Sequence, residues 1–182
     1  EEMLDNILSF SKKQLICLQN CSITDVLQEV LDLEYDNCQK QSIGIITEMQ
    51  AGLPMIVGDH RQLRQVFLNL MINARQVMAG RGLITIRARA GSFRGEQAVL
   101  IEVEDTGGGI SPEVMRNMFN PFFSTFAKGT GLGLSISHRI IAQHHGEIEV
   151  INVEKGARFT ITLPVVQPGP VVTGRAEQAP TA

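Results

Sequence analysis

Six glycines constrain this chain more than any other feature. Gly107, Gly108 and Gly109 form one cluster and Gly129, Gly131 and Gly133 a second. Between them lies a loop-like segment with Pro112, Pro121 and a patch of phenylalanines. Glycines at this density let a backbone approach a ligand closely and aim its N–H groups at anionic oxygens. The second cluster runs directly into a helical pattern, Leu132 to His144, with Ile136, Ile140 and Ile141 on one side. Unpaired N–H groups and the positive end of the helix dipole therefore stand where a phosphate would be bound. The alternative is a flexible loop, which loses ground because the second cluster sits at a helix start and is matched by the first.

Familiar phosphate-binding architectures are excluded. No GxxxxGK[ST] occurs, so there is no P-loop, and no third glycine follows Gly131 and Gly133 at dinucleotide-fingerprint spacing. There is no Asp-Phe-Gly, and His138-Arg139 continues to Ile140 rather than Asp, which excludes a Ser/Thr protein kinase. Net charge is −3, from 16 Lys+Arg against 19 Asp+Glu, too near neutral for a general nucleic-acid binder. One Tyr and no Trp leave little for base stacking. No apolar run approaches the ~18 residues of a membrane span, and no signal peptide opens the chain, so no membrane contact and a cytoplasmic setting are expected. Cys17, Cys21 and Cys38 are odd in number and lack metal spacing, which points to reduced thiols; on a helix Cys17 and Cys21 would share a face as small buried residues.

The rest of the chain divides readily. Residues 2–20 read as a helix that opens without a cap, as though continuing from an upstream part of a longer protein. Thr24 and Asp25 begin a second helix with Val26, Leu27, Val30, Leu31 and Leu33 on its apolar face. Ile43–Thr47 and Met55–Val57 read as short strands. Asp59 caps a long helix to about Met78, whose stripe is Leu63, Val66, Phe67, Leu70, Met71, Val77 and Met78. Leu83–Arg89 alternates Ile84, Ile86 and Ala88 with Thr85, Arg87 and Arg89, a half-buried strand. Gly91 to Gly95 reads as a hairpin-like loop, and Val99, Ile101 and Val103 as the next strand, ending at Asp105. Strands 147–152 and 158–163 close the pattern, and a Pro- and Gly-punctuated tail from 166 reads as disordered. The expected fold class is α+β, a two-layer α/β sandwich with helices on one face of a mixed sheet.

Two further signals accompany the glycines. Asn69 and Asn73 are four apart on the long helix and share a face. Neutral amide oxygens there suit Mg²⁺, which completes its shell with waters and substrate phosphates; a solvated polar stripe is the alternative. Asp105, at a strand end before the first glycine cluster, offers a carboxylate to an adenine amino group, or merely a cap.

Together these residues resemble sensor histidine kinases. Asn69-Leu-Met-Ile-Asn73-Ala is similar to their N box, Asp105-Thr-Gly107-Gly-Gly109-Ile110 to the first glycine box, Asn120-Pro-Phe-Phe-Ser-Thr125 to the F box, and Gly129-Thr130-Gly131-Leu132-Gly133-Leu134 to the second glycine box. Gly156-Ala-Arg-Phe159 with Leu163-Pro164 resembles the end of the same domain. The resemblance covers about residues 22–165 and implies a Bergerat-type ATP-binding domain, of the kind shared with gyrase and MutL. Residues 1–21 resemble the end of the preceding dimerisation and phosphoacceptor domain.

The resemblance implies roles residue by residue. Asn73 would be the Mg²⁺ ligand, Asn69 the polar partner beside it, and both would be catalytic. Asp105 would read the adenine amino group, with Gly107, Gly109 and Ile110 close to the base. Residues 110–128 would form a lid over ATP, anchored by Phe122 and Phe123, with Thr125 and Lys128 toward the phosphates. Gly129, Thr130, Gly131, Leu132, Gly133 and Leu134 would surround the phosphates, and Gln76 stands where many members carry a basic residue. Phe126 replaces the lysine that often ends the F box, and Ala157 a common threonine. ATP-hydrolysing relatives carry Glu at the position of Asn69; an amide cannot take a proton from water at neutral pH, which favours phosphoryl transfer. His60, His138, His144 and His145 are not followed by Glu or Asp, so the acceptor histidine is expected on a phosphoacceptor domain elsewhere in a homodimeric parent. His138, His144 and His145 read as surface or capping residues. A response-regulator receiver domain would be the next partner. A regulatory module without transfer, or an ATP-hydrolysing relative, remains the alternative.

Overall fold

Caps set the two long helices. In the computed structural model, which describes residues 16–78, 80–126 and 129–166, Ser22 Oγ accepts from Asp25 N at 3.2 Å and opens α1, Ile23–Lys40. The cap is thus Ser22, not Thr24, because Ser22 is the residue with extended backbone just before the helix. Asp59 opens α2, His60–Val77, with Oδ1 accepting from Arg61 N at 3.1 Å and Gln62 N at 3.2 Å. Its Oδ2 accepts from Cys17 N at 2.9 Å, and its own N–H donates to His144 Nε2 at 2.9 Å.

Seven strands accompany the helices. β1, Gln19–Cys21, pairs antiparallel with β3, Ile56–Gly58. Five others form one mixed sheet in the order β2-β4-β5-β7-β6. They are β2 Ile43–Met49, β4 Gly82–Phe93, β5 Glu96–Asp105, β6 Glu147–Asn152 and β7 Ala157–Pro164. β2 and β4 are parallel; the other pairs are antiparallel. Two more helices, α3 Pro112–Asn117 and α4 Gly133–Gln143, lie between β5 and β6.

The period-2 pattern sorts the sheet's faces. Ile84, Ile86 and Ala88, Val99, Ile101 and Val103, and Phe159, Ile161 and Leu163 meet Val26, Leu27 and Val30 of α1, Leu63, Phe67 and Leu70 of α2, and Ile136 and Ile140 of α4 in one core. Burying side chains of this size contributes about 1.5–3 kcal/mol each. The opposite face carries an ionic ladder in which Arg87 meets Glu48 at 3.0 Å and Glu104 at 2.9 Å, while Arg158 meets Glu104 at 2.8 Å. Burial opposes ionisation of Glu104, but the hydrogen bonds from Arg158 and Arg87 outweigh it and hold its carboxyl below the usual range. The α+β class with helices on one sheet face is as expected.

Several local expectations change. Residues 1–15 of the first expected helix lie outside the described residues, and its end is overturned: Gln19–Cys21 is strand β1. Pairing with β3 satisfies that backbone and buries Cys21, while Cys17 is exposed. The expected loop at Gly91–Gly95 is mostly strand, closed by a two-residue turn at Arg94 and Gly95, whose φ values of 53° and 85° suit a right-twisted hairpin. Within the loop-like segment, α3 forms because Ser111 caps Val114 N at 3.3 Å and Pro112 opens the first turn. His144 caps the C-terminus of α4, one of its two expected placements, but is fully buried rather than at the surface: Nε2 accepts from Asp59 N, and Nδ1 faces Ile140 O at 2.8 Å as donor. Burial holds its pKa below the ordinary value, which keeps Nε2 an acceptor.

Candidate functional site

A cleft of about 530 Å³ opens between α2, the first turn of α4, the end of β5 and the segments 109–126 and 129–131. On α2 the polar row Gln65, Asn69, Asn73 and Gln76 borders it, one helical face beside the apolar stripe. Asn69 is tied to α4: Nδ2 donates to Gly133 O at 3.1 Å and to Ser137 Oγ at 3.2 Å. Asn73 faces the cleft with no hydrogen-bond partner among the described residues. No group of three or more His, Cys, Asp or Glu side chains suited to a metal occurs among the described residues. The two amides therefore fit a cation that takes most of its ligands from a substrate and water rather than from a protein cage.

Asp105 stands at the other end. It is 5% exposed, and Oδ1 accepts from Gly107 N at 2.7 Å and Ala157 N at 3.5 Å. Burial pushes its carboxyl pKa up, partly offset by those two N–H groups. Gly156 lets the β6–β7 turn reach this carboxylate, since a Cβ there would overlap the Asp105 carbonyl. Asn152 pins the first glycine cluster: Oδ1 accepts from Ile110 N at 2.8 Å, and Nδ2 donates to Ile110 O at 2.8 Å.

Gly131 has φ +66°, and a Cβ there would press on the Phe122 carbonyl and the Phe123 N, each 2.7 Å away. Gly133 begins α4, whose N-cap, Leu132, makes no side-chain cap. The first-turn N–H groups thus remain available to an anion. Phe119 holds the 110–126 segment onto α4 through a ring contact with His138, centroids 5.3 Å apart.

Of the residues singled out from sequence, Asn69, Asn73, Gln76, Asp105, Gly109, Ile110, Phe123, Thr125, Gly129, Thr130, Gly131, Gly133 and Leu134 all line this cleft. Gly107 and Leu132 do not. Gly107 sits behind it, holding Asp105, and the Leu132 side chain is 2% exposed in the core. Phe122 is exposed and does not line the cleft, because its left-handed backbone, φ 66°, turns it outward. Lys128 lies outside the described residues. Ser137, Asn152 and Met118 escaped the sequence reading; Ser137 had a signal, four residues after Gly133 on one helix face.

Comparison with known proteins agrees with this geometry. Residues 58–167 match the family model "Histidine kinase-, DNA gyrase B-, and HSP90-like ATPase". Sensor histidine kinase ZraS of Salmonella typhi is 37% identical over 165 residues, 90% of this chain and 35% of that protein, so the chain spans about a third of this relative. The catalytic domain of histidine kinase ThkA superposes with TM-score 0.75 at 29% identity, covering 83% of this chain and 97% of that one. ThkA in complex with the response regulator TrrA gives 0.71 at 26%, covering 90% and 46%. Full-length ShkA in complex with AMPPNP gives 0.78 at 27%, covering 92% and 36%. The chain belongs to the histidine kinase-, DNA gyrase B- and HSP90-like ATPase family, within which it is an ATP-binding catalytic domain of the sensor histidine kinase type.

Proposed function

We propose that residues 22–165 bind ATP with Mg²⁺ in this cleft and transfer the γ-phosphoryl group to a histidine on a phosphoacceptor domain of a homodimeric parent, for relay to a response-regulator receiver domain. The observation that carries the reading is the polarity of the cleft: a buried carboxylate at one end, and two amides beside a glycine-led helix N-terminus at the other. The ends suit a purine amino group and a metal-bound triphosphate. The AMPPNP bound to ShkA and the response regulator bound to ThkA support the ligand and the partner.

The chain's own residues perform positioning. Asp105 receives the adenine amino group on the oxygen not used by Gly107 and Ala157. Asn73, assisted by Asn69 Oδ1, would hold Mg²⁺, which neutralises charge on the phosphate oxygens. The N–H of Gly131, before the cap, and that of Gly133, in the first turn of α4, would face the same oxygens, and segment 110–126 would exclude water. Among the described residues Asp105 is the one carboxylate lining the cleft, and it stands at the base end. Among the described residues no carboxylate lining the cleft stands beside Asn69 to activate water, which favours transfer over hydrolysis.

The nucleophile comes from elsewhere. His144 is buried and His60 bonds Glu29 at 2.9 Å; neither these nor His138 or His145 lines the cleft. A donor drawn from the ATP pool places the reaction in the cytoplasm, and among the described residues no helix is long and apolar enough to cross a membrane. The test is labelling with γ-phosphate-labelled ATP. The chain alone is expected to stay unlabelled while a separately supplied phosphoacceptor domain becomes labelled. Nucleotide binding without any transfer would replace this reading with that of a regulatory module.

A further inference from the structure

Asn69, Gly133 and Ser137 close a triangle of hydrogen bonds. Asn69 Nδ2 donates to Gly133 O at 3.1 Å and to Ser137 Oγ at 3.2 Å. Ser137 Oγ donates to Gly133 O at 2.9 Å, and this carbonyl, which also takes the helical N–H of Ser137, can only accept. Ser137 is fully buried and does not line the cleft.

An asparagine amide is nearly symmetric in shape and can present either oxygen or nitrogen to a ligand. Here the choice is forced. Turning the amide over would set Oδ1 against the Gly133 carbonyl, acceptor to acceptor, and would leave the Ser137 hydroxyl to bond Oδ1 only by giving up its own bond to Gly133 O. With Nδ2 committed to α4, Oδ1 is left for the cleft that Asn69 lines. A cation accepts an oxygen ligand and repels an N–H group, so the orientation decides whether Asn69 helps or hinders.

We propose that Ser137 is a positioning residue: by holding Asn69 Nδ2 on α4 it fixes the Asn69 carbonyl oxygen toward the metal–phosphate end of the cleft. The inference rests on the ATP–Mg²⁺ reading above. Ser137 also ties the polar row of α2 to the start of α4, so the amide and the first-turn N–H groups keep one spacing. Such support of a binding group by buried hydrogen bonds governs how well it is preorganised.

The test uses Ser137→Ala and Ser137→Thr in the full chain, with AMPPNP titrated by calorimetry with and without Mg²⁺. Side-chain amide signals of Asn69 are followed by ¹⁵N NMR without nucleotide. In Ser137→Ala the gain in affinity that Mg²⁺ brings should shrink by about 2- to 10-fold, the range one net hydrogen bond spans. Mg²⁺-free binding and the melting midpoint should hold, and the Asn69 amide protons should lose exchange protection. Ser137→Thr, which keeps the hydroxyl, should restore both. A wild-type Mg²⁺ gain in Ser137→Ala overturns the proposal, as does a loss that a normally melting Ser137→Thr fails to reverse. An equal drop in both affinities with a lower midpoint would make Ser137 merely structural and overturns it too. Should the wild type bind no nucleotide, the cleft reading fails by itself, while the NMR signals still decide whether Ser137 locks the amide.

Discussion

Replacing Asp105 by Asn tests the base end of the cleft most sharply. The substitution is nearly isosteric and leaves Oδ1 able to accept from Gly107 N at 2.7 Å and Ala157 N at 3.5 Å. That pairing turns Nδ2 into the cleft, where it meets the adenine amino group donor to donor. The loss is one hydrogen bond to a charged acceptor, about 1.5–3 kcal/mol, or roughly 10- to 160-fold in ATP affinity. The fold should not weaken in parallel, because burial already opposes the charge on Asp105 and pushes its pKa up. Calorimetric titration with ATP and with ITP is the assay. ITP carries an acceptor in place of the amino group, so the variant should favour ITP relative to the wild type. In the wild type, ATP affinity should also fall on acidification from a pH above the ordinary 3.8 of an aspartate, as the raised carboxyl takes up its proton, and Asp105→Asn should lack this loss. Unchanged ATP affinity and an unchanged ATP-to-ITP ratio would refute the placement of the base at Asp105.

Three other perturbations probe the scaffold. Gly131→Ala should abolish saturable ATP binding in calorimetry, because its Cβ meets the Phe122–Phe123 backbone at φ +66°, whereas Gly108→Ala, with open space around it, should cost only the left-handed strain of about 1–2 kcal/mol. His144 should make urea stability fall as pH drops below about 6.5, by at most about 1.4 kcal/mol per pH unit, since the unfolded imidazole protonates before the buried one. In His144→Gln that slope should vanish. Arg75→Ala should cost about 3 kcal/mol in urea denaturation, because Glu34, with its side chain 6% exposed, would keep only Asn37 as partner. A partial return of stability in the Glu34→Gln, Arg75→Ala double variant would confirm that the stranded charge is responsible.

Periodicity made much of the fold legible. The α2 stripe, apart from Val77, which is exposed, and the alternation along β4, β5 and β7 are reporters of burial on one face, and the core follows them. Where the pattern misled, pairing had overridden local signals. Gln19–Cys21 continues a helical rhythm, yet β3 takes its backbone into a sheet. Gly91 looks like a loop residue, but Leu100 fills the space a side chain would need there, inside the hairpin. The Ser111-Pro112-Glu113 start of α3 was readable and was outweighed by the surrounding glycines.

The sequence by itself determined which residues could carry the chemistry, because spacing four on a helix and glycines at a helix start are local geometry. Asn69, Asn73, Asp105 and the second glycine cluster were therefore identifiable before any fold was known. Tertiary structure decided how they are held. Ser137, 68 residues from Asn69, orients its amide, and Asn152, 42 residues from Ile110, pins the first glycine cluster. His144, 85 residues from Asp59, accepts its N–H and so becomes buried and neutral rather than a surface cation. Each of these is a hydrogen bond between elements distant in the chain. Such bonds have no periodicity to announce them and exist only once the helices and the sheet have packed.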